Sequence, residues 1–389
     1  MHLTMAPSHA PVDAQNRPPK VLHLCTTTVD THYFANLGAG LADAGLEVLM
    51  GSVTALPRPP WMDGQARVRY FSLGARSRLG LIPALGRLIW VVRREKPALL
   101  QTHLFHAGLL GYIAARLTGL PITITRHHTD EVARIGSVLH VTTDRFLMRH
   151  ADKIVGLSEA VRAYAVGHDG APPDRVAVLP QGFDFGKLGT TEEERTRVRR
   201  ELGLEGMFVV GCVARFFPTK GHSFLVTAFD AVARELPDAH LVLVGGGNRR
   251  PIEREVQRRQ LQRRVTFAGH RTDVPALMGA FDLLVHPSET EAFCQVIVEA
   301  MAVGTAVIAT DVAAAREVIT SGETGLLIPA RDSEAIAEAI RTLYRNPELR
   351  QAMAARGSAS VRARFTIDRM IAAQLEVYGS VLDSWTRGR

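Results

Sequence analysis

The sequence predicts an α/β chain made of two doubly wound parallel-sheet domains. Three observations lead there. Short apolar runs of strand length alternate with longer runs of helical periodicity, as in β-α-β units. The alternation breaks once, at Pro180-Gln181-Gly182-Phe183-Asp184 and the charged stretch Glu192 to Glu201, and then restarts. The chain has 389 residues, 46% of them hydrophobic, enough for two cores. A boundary near Gly186 separates a first domain, 19–186, from a second, 187–365.

Residues 1–18 are polar and proline-containing and read as a disordered tail, not a signal peptide. Val21 to Cys25 is a short apolar strand. Thr26-Thr27-Thr28 leads into a helix from about Thr31 to Ala44, Gly45 ends it, and Glu47 to Met50 returns as strand. The first β–α turn lacks paired glycines. Gly38-Ala39-Gly40 falls in mid-helix with Asp43 where a third glycine is needed, which weighs against a dinucleotide fingerprint. Further strands are expected at Arg67 to Phe71, Leu99 to Thr102, Ile122 to Thr125, Lys153 to Gly156 and Val176 to Leu179.

In the second half the strands are Phe208 to Val213, His240 to Val244, Val265 to Phe267, Leu283 to Val285, Ala306 to Ala309 and Leu326 to Ile328. A helix is expected from about Phe293 to Ala302, stopped by Gly304, with others at 333–345 and 347–364. Gly245-Gly246-Gly247 is not a Walker loop, because no Gly-Lys-Ser/Thr follows.

Net charge is +7, mostly from dispersed arginine. A basic surface favours nucleotides, phospholipid head groups or nucleic acid without choosing among them. Cys25, Cys212 and Cys294 lie far apart without metal-ligand spacing, so free thiols in a reducing, cytoplasmic setting are expected. No run reaches the length of a membrane span. Gly80 to Lys96 has two readings. With Arg76, Arg78, Arg87, Arg93 and Arg94 around Leu79, Ile82 and Trp90, it suits an anionic membrane surface. It also suits an ordinary sheet-covering helix with a solvated basic edge.

Ligands of parallel sheets bind at the carboxyl ends of the strands. His103 ends one strand, and Arg126-His127-His128 ends the next. A histidine there either contacts substrate or is satisfied by backbone. Arg126 and Arg134 are candidates to hold an anionic acceptor. In the second half, Arg215 and Lys220 follow the first strand, in a loop framed by Pro218 and Gly221. Two fixed cations there suit a departing diphosphate; the bland alternative is surface charge. No Asp-x-Asp motif is present, so no metal site is expected. Glu291 and Glu299 bracket the turn and helix after Leu283 to Val285. If the interval were helical they would lie about 12 Å apart, roughly the span from sugar to ribose in a nucleotide sugar. The alternative is one capping and one solvated glutamate.

With these pieces in place, the second half resembles the retaining glycosyltransferases of family 4. Their Glu, seven residues, Glu, Ala-Met-Ala, Gly pattern is matched by Glu291, Glu299, Ala300-Met301-Ala302 and Gly304. Their Arg…Lys-Gly loop is matched by Arg215, Lys220 and Gly221, and their Gly-x-x-x-Asp-Val by Gly269-His270-Arg271-Thr272-Asp273-Val274. Glu317-Val318-Ile319 and Gly322-Glu323-Thr324-Gly325-Leu326-Leu327 complete the series. His128 resembles the family's strand-end histidine, and Pro180 to Asp184 its Pro-Asn-Gly-Val-Asp. Ala292 and Cys294 depart from the family's glycines, and a side chain at 294 is expected to narrow the approach to the donor sugar.

The resemblance implies the GT-B fold, two Rossmann-like domains facing a cleft, with 366–389 packing back on the first domain. It implies transfer of a sugar from a nucleotide-diphosphate sugar, UDP first and GDP second, to a glycan, lipid-linked or small-molecule acceptor. Arg215, Lys220, Glu291 and His128 are then the catalytic candidates. Glu299, Phe293, Cys294, Gln295, Arg271 and Gly269 are the donor contacts, and His127, Arg126 and Thr28 lie on the acceptor side. No cofactor and no nucleic acid is expected. A sugar-nucleotide epimerase and a non-catalytic binding protein on the same fold are the alternatives.

Overall fold

The computed structural model describes residues 19–127 and 137–387. The chain divides into two compact units. One runs to Phe183 and takes up Thr366–Arg389; the other is Asp184–Phe365.

The first unit is a seven-stranded sheet, parallel throughout. Its strands are β1 (Lys20–Cys25), β2 (Glu47–Thr54), β3 (Val68–Ala75), β4 (Leu99–His103), β5 (Ile122–Arg126), β6 (Lys153–Gly156) and β7 (Val176–Val178), in the order β3-β2-β1-β4-β5-β6-β7. Strand β2 runs four residues past Met50. Ser52 continues it as a buried residue hydrogen-bonded to the Tyr70 hydroxyl at 2.7 Å, so a polar side chain hides the apolar run.

Period-2 alternation gives this sheet two different faces. Leu22, Leu24, Leu100, Ile122, Ile124 and Ile154 pack with Ala84, Leu88 and Val92 of the Leu81–Glu95 helix, with the Phe105–Thr118 helix and with the Val138–His150 helix. Val21, Cys25, Leu99 and Val155 face Phe34, Leu37 and Leu41 of the His32–Asp43 helix and Met370, Ile371 and Tyr378 of the Ile367–Arg387 helix. Thr31 caps the His32–Asp43 helix through its hydroxyl, which accepts from the Phe34 N–H. The mid-helix glycines are explained by packing. A Cβ on Gly38 would lie 2.8 Å from the Trp61 ring, and one on Gly40 would lie 2.5 Å from Ile371. They let the C-terminal helix and Trp61 close on this helix.

The second unit is a six-stranded parallel sheet of order β10-β9-β8-β11-β12-β13. The strands are β8 (Phe208–Val213), β9 (Ala239–Val244), β10 (Val265–Gly269), β11 (Leu283–His286), β12 (Ala306–Thr310) and β13 (Leu326–Ile328). The helices Ser333–Arg345 and Pro347–Arg364 lie where the periodicity places them. The helix after β11 differs: it is Gln295–Ala302, with Cys294 as its N-cap. Ala292, Phe293 and Cys294 belong to the turn, so Glu291 and Glu299 do not share a helix and the axial spacing argument does not apply. Cys25, Cys212 and Cys294 are all free and buried.

Candidate active site

In the second unit, two neighbouring strands bring the site together. After β8 the chain makes a short 3-10 turn, Pro218–Lys220, and then enters the His222–Glu235 helix. After β11 it turns through Pro287 to Cys294. Strands β8 and β11 are adjacent, so both turns lie at the carboxyl edge. They touch directly: the Glu289 N–H donates to the Thr219 carbonyl at 2.8 Å. Gly221 makes the approach possible. Its φ is +70°, and a Cβ there would lie 2.0 Å from the Pro287 carbonyl oxygen. The Thr310 hydroxyl donates to the Ser288 carbonyl and fixes the second turn from β12.

The result is a three-member cluster. Lys220 Nζ lies 2.5 Å from Glu291 Oε1, and His286 Nε2 lies 2.8 Å from the same oxygen. Only 12% of the Glu291 side chain is exposed. Burial by itself would raise this carboxyl. The His286 hydrogen bond, the His286 charge and Lys220 outweigh it and hold the group at about 2. His286 is the member that sequence reading missed. It is the last residue of β11, a strand-end histidine like His103, and ending the strand at Val285 hid it.

Glu299 is the opposite case. It is half-buried, accepts from Gln295 Nε2 at 2.8 Å, and burial raises its carboxyl above the ordinary range. Two carboxylates on one short segment therefore have contrasting environments. One is held ionised beside Lys220 and His286, and the other is a desolvated acceptor suited to neutral hydroxyls.

The other expected donor contacts divide. Arg215 is exposed in the loop after β8. Gly269 ends β10, two strands from β8, and Arg271 follows two residues on, held by Glu201 at 2.5 Å and Asp273 at 2.8 Å. Phe293 packs edge-on against Phe365, with ring centroids 5.7 Å apart. Cys294 is only 1% exposed, and its thiol is pushed well above the usual range by burial and then by the Glu291 charge. The expectation that its side chain narrows a sugar's approach is corrected: the thiol lies inside the unit, beneath the turn.

In the first unit, His103 and His127 meet at the carboxyl edge of β4 and β5, with His103 Nδ1 and His127 Nε2 2.9 Å apart. Thr28 accepts from the Asp30 N–H at 2.8 Å and shapes its own turn. Arg126 is corrected as an anion contact. It is buried, with Asp144 at 2.7 Å and Asp169 at 3.1 Å, so its charge is engaged inside the unit. His128 and Arg134 lie outside the described residues. Among the described residues, no group of three or more His, Cys, Asp or Glu is arranged to hold a metal ion.

Residues 31–182 match the Glycosyl transferase 4-like domain, and residues 194–359 match Glycosyl transferases group 1. The alpha-D-kanosaminyltransferase of Streptomyces kanamyceticus is 27% identical over 334 residues, covering 80% of this chain and 83% of that one. The D-inositol 3-phosphate glycosyltransferase of Salinispora tropica is 28% identical over 388 residues, covering 90% and 80%. Among solved structures, Anabaena HepE in complex with UDP-glucose superposes with a TM-score of 0.81 at 24% identity, covering 93% of this chain and 99% of that one. That likeness is one of fold, with two parallel-sheet Rossmann-like domains of the GT-B kind. The chain is a glycosyltransferase, built from a Glycosyl transferase 4-like domain followed by a Glycosyl transferases group 1 domain.

Proposed function

We propose that the chain moves a sugar from a nucleotide-diphosphate sugar, a UDP-sugar before a GDP-sugar, to a hydroxyl of a glycan, lipid-linked or small-molecule acceptor, with retention. The observation that carries this reading is the Lys220–Glu291–His286 cluster at the carboxyl ends of β8 and β11. Arg215 and Lys220 supply positive charge to the leaving diphosphate, in the place a divalent ion takes elsewhere. Glu291, held by Lys220 and His286, contacts the transferred sugar. Glu299 accepts from the ribose hydroxyls and is oriented by Gln295. The first domain binds the acceptor, with His127 and His128 on that side. The HepE complex with UDP-glucose supports UDP as the first choice.

The test is thermal stabilisation by UDP, GDP and ADP, with and without EDTA, followed by product analysis. Stabilisation by UDP that survives chelation is expected. Strict metal dependence would sink the role given to Arg215 and Lys220. A changed sugar still on its nucleotide would favour an epimerase.

We also infer a peripheral contact with anionic membrane. The Leu81–Glu95 helix already buries Ala84, Leu88 and Val92 against the sheet, so its sheet-covering face is satisfied. Leu79, Ile82 and Trp90 lie outside that face, at 81%, 76% and 58% exposure, and Arg94 stacks on Trp90 at 4.9 Å. An apolar strip edged by arginines suits anionic lipid. Flotation with phosphatidylglycerol vesicles should carry the protein, and Trp90→Ser with Ile82→Ser should release it.

A further inference from the structure

Glu291 sits in a turn, and a side chain on a turn is placed only as well as its backbone is held. Two side chains from outside the turn do the holding. The first belongs to β12. That strand is apolar through Ala306, Val307, Ile308 and Ala309 and then ends in Thr310, which is 1% exposed. A buried hydroxyl is costly unless it is paired.

Register explains the pairing. Strand β11 meets β12 in parallel, with Leu283 beside Ala306 and, last, His286 beside Ala309. The next pair would be Pro287 and Thr310, and Pro287 has no N–H to give. The backbone ladder stops there, and the Thr310 hydroxyl carries on in its place. It donates to the Ser288 carbonyl, and the His286 carbonyl lies 3.5 Å from it, so it straddles Pro287. Thr310 is itself fixed on its other side, where it pairs with Ile328 of β13. A side chain thus lengthens the ladder by one step where the chain leaves the sheet to form the site.

The second holder comes from beyond β13. Arg331 Nε and Nη2 both donate to Glu289 Oε2, at 2.8 and 2.5 Å. Arg331 has a φ of +61°, in the left-handed region that favours glycine. A glycine would sit there without strain but could not reach Glu289. The Glu289 N–H donates to the Thr219 carbonyl of the loop after β8. From His286 to Glu289 the turn is therefore held residue by residue. Glu291 follows two residues on, with its carboxylate turned back onto His286.

We propose that Thr310 and Arg331 are positioning residues for transfer: from β12 and from the loop after β13 they set the turn so that Glu291 meets Lys220 and His286. The proposal rests on the donor-side reading of that cluster, and both residues act through Glu291.

The test measures UDP release from UDP-glucose with a panel of hydroxyl acceptors, beside calorimetry with UDP. Thr310→Val keeps the shape and removes the hydroxyl. Arg331→Gly removes the clasp and suits the backbone angle. Thr310→Val should lower kcat about tenfold and leave UDP affinity within about twofold. Thr310→Ser, which keeps the hydroxyl, should recover most of that rate. Arg331→Gly should lower kcat about threefold while its thermal midpoint stays at or above the wild type's. On a Glu291→Gln background, Thr310→Val should cost nothing further. Solvent exchange of the His286 Nε2–H, assigned by its loss in His286→Gln, should quicken about fivefold in Thr310→Val and in Arg331→Gly. Equal losses from Thr310→Val on both backgrounds would overturn the proposal, as would a wild-type rate in either variant. A wild type that released no UDP would count against the donor reading. The His286 exchange would then still decide the positioning, and unchanged exchange in Arg331→Gly would overturn it.

Discussion

Replacing Glu291 with Gln should tighten UDP binding while it slows transfer. The structure places Glu291 Oε1 2.5 Å from Lys220 Nζ, so the cation proposed to meet a diphosphate is shared with a carboxylate. The carboxyl is lowered from its ordinary 4.5 to about 2 despite burial. That drop corresponds to about 3 kcal/mol of favourable interaction. His286 contributes first and Lys220 after it, so about 1–2 kcal/mol is assigned to Lys220. A glutamine keeps the shape and an acceptor oxygen but removes the charge. Freed of its counter-charge, Lys220 should bind UDP about tenfold more tightly. Titration calorimetry with UDP at pH 7.5 and low salt measures this directly. The double variant with Lys220→Ala should lose the gain, because the two positions are coupled. Turnover should fall about 100-fold, since the sugar loses its ionised partner. Unchanged or weaker UDP binding by Glu291→Gln would refute the idea that Lys220 is held in reserve for the diphosphate.

Three further outcomes follow from the same geometry. Glu299→Ala should weaken UDP binding about tenfold by removing the carboxylate proposed to accept from the ribose hydroxyls, and calorimetry checks it. Acid stability should depend on Glu291. Its folded-state value lies below its unfolded one, so its contribution is present above about 4.5 and is lost as pH falls toward about 2. Urea unfolding of Glu291→Gln should therefore show less loss of stability between those pH values than the wild type, by up to about 3 kcal/mol. Gly221→Ala should destabilise the second unit by about 2–4 kcal/mol, because a side chain at positive φ would also meet the Pro287 carbonyl. A urea midpoint equal to the wild type's would contradict that account of the loop.

Much of this architecture was legible because buried parallel strands are short apolar runs between helical patterns. The helices 333–345 and 347–364 and the strands at Lys153 and Leu326 fall where periodicity puts them. Element ends failed where polar residues are buried, as at Ser52 in β2 and His286 in β11. The Lys220–Glu291 contact joins positions 71 residues apart, and no local pattern encodes its distance. Lys220 and Glu291 were nonetheless identifiable one at a time, because each follows a strand of the same sheet. Buried polar residues had a signal too: Gln101 and His103 in one strand, and Thr123 and Thr125 in the next, alternate in strands expected to be apolar on both faces. Arg126 misled for the same reason. A charged residue at a strand end reads as a site residue, and only the folded chain shows Asp144 and Asp169 around it.

The most direct test of sugar transfer by the Lys220–Glu291 pair is phosphorus NMR of the protein incubated with UDP-glucose and a panel of hydroxyl acceptors. Free UDP should accumulate with wild type, persist with EDTA, and drop at least 100-fold with Lys220→Ala. A sugar nucleotide that stays intact, or Lys220→Ala releasing UDP at the wild-type rate, would contradict the account.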